Sequence, residues 1–132
     1  MELNILRADP AGNITVFVLD PVEKAQRAAI AEKIMAIPAL KAEQVGSACA
    51  AEDDVDGHME MMGGEFCGNA TRAYGMYIAQ QKGGLSSVRL RVSGCDHVVT
   101  AQVDLKSGTA RAEMPCPRSV KRVTVNGHEG ML

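Results

Sequence analysis

The stretch GGEFCGNATRAYGMYIAQQ, residues 63–81, decides the fold because it joins a glycine turn to an apolar helix. Its apolar residues recur at helical spacing: Ala70, Ala73, Met76, Tyr77 and Ala79. Two glycines at positions 83–84 are a typical helix stop. The pattern therefore predicts a helix over residues 69–81. Because this helix is apolar on several faces, we expect it to lie at the centre of the fold, wrapped by a sheet.

Short β-rich stretches flank the central helix on both sides. We predict strands at residues 4–7, 14–19, 43–50, 58–62, 88–92, 97–105, 109–114 and 120–125. A second helix is predicted over residues 21–36, with Asp20 as the N-cap, Pro21 at the first helical position and Pro38 as the stop. The sequence thus predicts one α+β domain over residues 1–132, with a curved, mostly antiparallel sheet around the central helix.

The composition narrows the class of protein. The chain has 132 residues, which suits one domain or half of a larger enzyme. Apolar residues make up 46% and charged residues 23%, which excludes wholesale disorder. A net charge of −2 and 3% aromatic residues argue against nucleic-acid partners and against binding to a membrane surface. With no signal peptide or membrane-spanning run in the sequence, we expect a cytoplasmic protein with reduced cysteines.

Cys67 carries the chemistry that the sequence suggests. The first turn of a helix has unpaired N–H groups and a partial positive charge. A thiol at that point can become a usable base or nucleophile near neutral pH. The N–H groups of Gly68 and Asn69 could hold a carboxylate beside it. Together these groups could remove the α-proton of an amino acid, although a cysteine at such a junction can also be a small buried side chain.

The segment GEFCGNATR, residues 64–72, resembles the first catalytic-cysteine motif of the diaminopimelate epimerase family. Its members are racemases and epimerases that use no cofactor. The usual form of the motif is CGNGAR, and Ala70-Thr71 here stands in place of Gly-Ala, which is similar to the histidine racemase branch. Upstream, Gly12-Asn13 followed by a strand resembles the family's GNDF segment, from which Ile14-Thr15 departs.

The resemblance implies a fold, a mechanism and a set of site residues. Family members have two similar domains, each a curved sheet around a central helix, with the active site between them. Each domain supplies one cysteine, so that one thiolate removes the α-proton and the opposite thiol returns a proton. Carried over, Cys67 would be one member of the pair, and Gly68 and Asn69 would bind the substrate carboxylate. Asn13 would hold a polar group of the substrate, and Thr71 would lie near the carboxylate.

The second cysteine of such a pair has no counterpart in this sequence. Cys95 precedes a predicted strand, and Cys116 lies between two prolines, so neither suits a helix start. Three explanations remain open. The chain could be an isolated N-terminal domain, it could pair with a separate chain, or two copies could face each other as a homodimer with two Cys67 residues. The expected small-molecule partner is an amino acid.

Other readings of the sequence are weaker but stay open. The same site could isomerise an unsaturated carboxylic acid, or bind a small amino or carboxylic acid without catalysis. A Cys67–His58 dyad would suit a thiol hydrolase. The four cysteines lack the spacing of a zinc site, and the acidic stretch at residues 52–57 lacks the later glutamate of a calcium loop. We therefore expect neither a metal nor a cofactor.

Overall fold

The computed structural model describes residues 3–9, 13–112, 122–125 and 128–131. Its two helices are α1, Lys24–Met35, and α2, Gly68–Gln81. Seven strands form one sheet in chain order: β1 Ile5–Ala8, β2 Thr15–Val18, β3 Gln44–Cys49, β4 Gly57–Met61, β5 Ser87–Val92, β6 Val99–Asp104 and β7 Thr109–Ala112. A separate hairpin pairs β8, Arg122–Val125, with β9, His128–Met131. The predictions for Gly12, Cys116 and the strand ends at 113–114 and 120–121 lie outside the described residues.

The sheet is mixed and curls around α2 as a half-barrel. The pairs β2–β3 and β4–β5 are parallel, and the other neighbouring pairs are antiparallel. Each parallel pair is joined by a helix, since parallel neighbours need a crossover. The two strand–helix–strand units are β2–α1–β3 and β4–α2–β5. Both add their second strand on the same side of the first, but the strands of one unit run antiparallel to those of the other. Crossovers of the same hand therefore place α1 and α2 on opposite faces. The predicted α+β fold around a central helix is confirmed.

Two apolar clusters hold the helices against the sheet. The cluster inside the curl packs α2 against alternate residues of the strands, including Phe17, Met59, Leu90, Val99 and Ala101. The outer cluster packs α1 through Ala31 and Ile34 against Val16, Val18 and Val45. All four residues of β2 are buried because one face packs against each helix. This two-sided burial explains why residues 14–19 read as a continuous apolar run rather than an alternation.

Helix α2 was predicted to within one residue, whereas the start of α1 was predicted wrongly. Asp20 does not cap α1, which begins at Lys24 after an extended Glu23 that makes no side-chain cap bond. The Asp20 carboxylate instead accepts hydrogen bonds from the backbone and side-chain N–H groups of Asn4. Asp20 therefore ties the start of β1 to the end of β2. Within the described ranges, neither helix has the length and apolar character needed to cross a bilayer.

Candidate active site

Cys67 lies where the sequence placed it, as the N-cap of α2. Its backbone is extended, with φ −132° and ψ 112°, and its sulfur accepts a hydrogen bond from the Ala70 N–H at 3.4 Å. Its carbonyl oxygen accepts from the N–H and the hydroxyl of Thr71, at 2.9 and 2.8 Å. The thiol is partly buried against the core inside the curl. The expected placement of a sulfur at a helix amino end is therefore confirmed.

Gln44 is a site residue that sequence reasoning missed. Its side-chain nitrogen Nε2 lies 3.1 Å from the Cys67 sulfur and 2.8 Å from the hydroxyl oxygen of Thr15. An amide nitrogen carries two hydrogens, so it can donate to both acceptors at once. The Thr15 hydroxyl in turn donates to the Asn13 carbonyl at 3.4 Å. These bonds form a chain from the loop before β2 to the sulfur.

The strand register explains why these polar groups meet. Thr15 and Gln44 are direct partners at the starts of the parallel strands β2 and β3. Thr15 is fully buried. Side chains alternate between the two faces of a strand, so Thr15 lies on the same face as Phe17, and Gln44 on the same face as Gly46, and this face lines the inside of the curl. A glutamine at an inward-facing position of a predicted strand is the signal that could have identified Gln44. No local motif marks it.

The remaining predicted site residues lie around Cys67. Gly68 and Asn69 are the first two residues of α2, and both are partly buried. The Asn69 side-chain oxygen accepts a hydrogen bond from the Arg72 guanidinium. Asn13 is partly buried and lies two residues before β2. Their contacts with a substrate stay predictions, as does the position of Thr71 near a carboxylate, because the Thr71 hydroxyl is fully buried and bonded to Cys67.

His58 lies on the other face of the sheet from Cys67. On β4, Met59 and Met61 point towards α2, and His58 alternates with them. His58 instead lies near Cys49 and Glu60, with their ligand atoms within 4.8 Å of one another. The structure therefore does not support a Cys67–His58 dyad.

The group of Cys49, His58 and Glu60 has the residue types of a metal site, but an arginine already occupies it. The Arg27 guanidinium forms an ion pair with Glu60 and lies 3.6 Å from the Cys49 sulfur. Burial raises the pKa of the Cys49 thiol, and the charge of Arg27 offsets part of that rise. Since the guanidinium contacts two of the three residues, Cys49 and Glu60, a cation bound there would have to compete with its positive charge. Cys95 lies in the turn before β6, as predicted, and not at a helix start.

Comparison with known proteins identifies the family. The model of the histidine racemase CntK N-terminal domain matches residues 2–132. A histidine racemase of Staphylococcus aureus is 32% identical over 122 residues, which cover 89% of this chain and 44% of the relative. Histidine racemases of two strains of Fusobacterium nucleatum are 42% and 39% identical over 79 residues, or 58% of this chain and 27% of each relative. The chain thus covers less than half the length of these relatives. It belongs to the family of histidine racemase N-terminal domains.

Proposed function

We propose that this chain is the N-terminal half of an amino-acid racemase that uses no cofactor, with Cys67 as one of its two acid/base groups. The observation that carries the proposal is the surroundings of the Cys67 sulfur. It caps the start of α2, and it accepts hydrogen bonds from the Ala70 N–H and the Gln44 amide. N–H donors and a helix amino end both favour negative charge on sulfur.

The proposed reaction moves one proton off and one proton onto the α-carbon. The Cys67 thiolate takes the α-proton and becomes a thiol, and the electron pair of the C–H bond passes into the substrate carboxylate. A second acid on the opposite face then gives a proton to the α-carbon and is left as its conjugate base. The reverse direction exchanges the two roles. General-base catalysis of this kind contributes roughly 10²–10⁴-fold to a rate.

The substrate carboxylate must be held while it carries the extra charge. We propose that the N–H groups of Gly68 and Asn69, at the first two positions of α2, bind it. Gly68 has no side chain to keep the carboxylate away from the backbone. Asn13, which precedes the strand that carries Thr15, would bind another polar group of the substrate.

The relatives suggest the substrate and the missing half of the site. The curated relatives are named histidine racemases, so histidine is the first amino acid to test. They are more than twice as long as the part that matches this chain. We propose that the second acid comes from outside this chain. It could come from a further domain, from a separate polypeptide or from a second copy that contributes its own Cys67.

Deuterium exchange at the α-carbon tests the proposal. L- and D-histidine, with a panel of other amino acids, are incubated in D₂O with the chain alone and with the carboxy-terminal half of a histidine racemase. We expect exchange with the parent chain and its loss in Cys67→Ser, while the matched variant Cys95→Ser keeps it. Equal exchange in Cys67→Ser, or no exchange by the parent chain under either condition, would refute the role of Cys67. Exchange only with an allylic acid would indicate an isomerase, and binding without exchange a binding domain.

A further inference from the structure

Two loops lie side by side at the edge of the sheet next to Cys67. Strands β4 and β5 are parallel, with Met59 paired to Val92, so both end at the same edge. The chain after β4 runs through residues 62–66 to Cys67. The chain after β5 makes a turn at Ser93-Gly94. The segment that delivers Cys67 to the start of α2 is therefore a neighbour of this turn.

The Ser93 hydroxyl bridges both ends of that segment. It accepts a hydrogen bond from the Met61 N–H at 2.8 Å and donates one to the Glu65 carbonyl at 2.7 Å. A hydroxyl has one hydrogen to donate, and this contact uses it. The Ser93 backbone N–H also donates to the Met59 carbonyl at 3.1 Å, which anchors the turn on β4. A single side chain thus fixes the span between the end of β4 and Glu65.

Gly94 brings the backbone of the turn against the backbone just before Cys67. Its φ is +75°, a conformation that favours glycine. A Cβ atom at this position would lie 2.2 Å from the Phe66 nitrogen and 2.7 Å from the Glu65 carbonyl carbon. Both contacts are with backbone atoms, which cannot move aside as the end of a flexible side chain can. A side chain at position 94 would therefore push Glu65 and Phe66 away from the turn.

We propose that Ser93 and Gly94 are positioning residues for Cys67. By holding residues 65–66, they fix the direction in which the Cys67 thiol points at the start of α2. They thereby set its hydrogen bonds with the Ala70 N–H and the Gln44 amide. The proposed function gives this thiol a reaction to perform, but the effect on its reactivity does not depend on any substrate.

Alkylation of individual cysteines by iodoacetamide tests this. Mass spectrometry gives the rate for each cysteine at a series of pH values in the parent chain, Ser93→Ala, Gly94→Ala and Ser93→Thr. Cys49 is the internal reference because it lies in the outer group with His58 and Glu60. We expect Ser93→Ala and Gly94→Ala to slow the alkylation of Cys67 by about tenfold at neutral pH. This is about the effect of losing one hydrogen bond to the sulfur when it carries a charge. The rate of Cys67 falls selectively across the pH series, the rate of Cys49 is unchanged, and Ser93→Thr stays close to the parent chain.

Several results would overturn the inference. One is a Cys67 profile that is the same in Ser93→Ala as in the parent chain. Others are an equal change at Cys49, which would indicate a general loss of fold, and a failure of Ser93→Thr to keep the parent rate. If Gly94→Ala does not fold, Ser93→Ala decides alone. If the rate of Cys67 falls selectively but the parent chain exchanges no α-proton, the positioning role stands and the proposed function fails.

Discussion

The side-chain amide of Gln44 donates a hydrogen bond to the sulfur of Cys67 over 3.1 Å. The same nitrogen donates to the Thr15 hydroxyl over 2.8 Å, so its orientation is fixed by two acceptors on different elements. One amide thus links β2, β3 and the start of α2. A donor held in place in this way does not have to reorient when charge develops on the sulfur, which is how fixed dipoles assist a reaction.

Replacing Gln44 should therefore impair the chemistry more than the fold. We expect Gln44→Ala to lower α-proton exchange by about 10- to 100-fold, since a hydrogen bond to a charged group contributes about 1.5–3 kcal/mol. Gln44→Glu should be slower still because it brings a carboxylate next to the sulfur. Gln102→Ala, at an exposed position of β6, is the matched control. An undiminished exchange rate in Gln44→Ala would contradict the assignment.

Thr71 should contribute to stability through its buried hydroxyl. It donates to the Cys67 carbonyl at 2.8 Å, and Thr71→Val keeps the shape of the side chain while removing this donor. The carbonyl keeps its bond from the Thr71 N–H, so we expect a loss of only about 1 kcal/mol in the free energy of unfolding. Urea denaturation measures this loss. Thr109→Val, at an exposed position, should change stability by less than about 0.5 kcal/mol, and an equal effect there would refute the explanation.

Gly75 should be required for α2 to lie close to the sheet. A Cβ atom there would lie 2.9 Å from the Cβ atom of Ala101 on β6. Alanine improves helix propensity by about 1 kcal/mol, but overpacking a core costs about 1–3 kcal/mol. We therefore expect Gly75→Ala to lower the midpoint of urea unfolding. The double variant Gly75→Ala with Ala101→Gly should lose less than the two single effects combined, and strict additivity would show that the contact does not matter.

Tyr74 should make stability depend on pH in the alkaline range. Burial raises the pKa of Tyr74 to about 12, from an ordinary value near 10. The folded state therefore holds the phenol proton more tightly than the unfolded state. The contribution of this protonated phenol to the free energy of unfolding is fully present below about pH 10. It is lost as the pH rises towards 12, by at most about 2–3 kcal/mol.

Comparison of two tyrosine variants isolates this effect from the titration of lysines. In thermal unfolding experiments, we expect Tyr74→Phe to lose less stability at alkaline pH than the parent chain, because its buried side chain has no proton to release. Tyr77→Phe, on the same helix but only partly buried, should keep the loss. Identical pH profiles for the parent chain and Tyr74→Phe would show that Tyr74 is not responsible.

The sequence predicted the parts of the site that depend on local pattern. A cysteine between a glycine turn and an apolar helix is enough to predict an N-cap, and Cys67 is one. The position of Gln44 on β3 could have marked it as facing inward, but its contact with Cys67 depends on how β3 lies beside the start of α2. Asp20 illustrates the opposite error. Its spacing suits a helix cap, but a tertiary contact with Asn4 uses the carboxylate instead.

The fold could be predicted as a class but not in its connections. Short β-rich stretches predicted the strands, and the central helix was predicted from its apolar faces. The parallel pairs β2–β3 and β4–β5 were not predicted, because nothing in a strand's own pattern fixes the direction of its neighbour. The opposite faces taken by α1 and α2 follow from those pairings.

The order of the strands in the sheet has a consequence for how the protein forms. Every strand from β1 to β7 is bonded to the strand that precedes or follows it in the chain. As the ribosome releases the polypeptide, each new strand meets an edge that is already present, and none must wait for a distant partner. Assembly can then advance strand by strand from the amino end, and the parallel pairs β2–β3 and β4–β5, which close over a helix, are the slowest steps that this order requires.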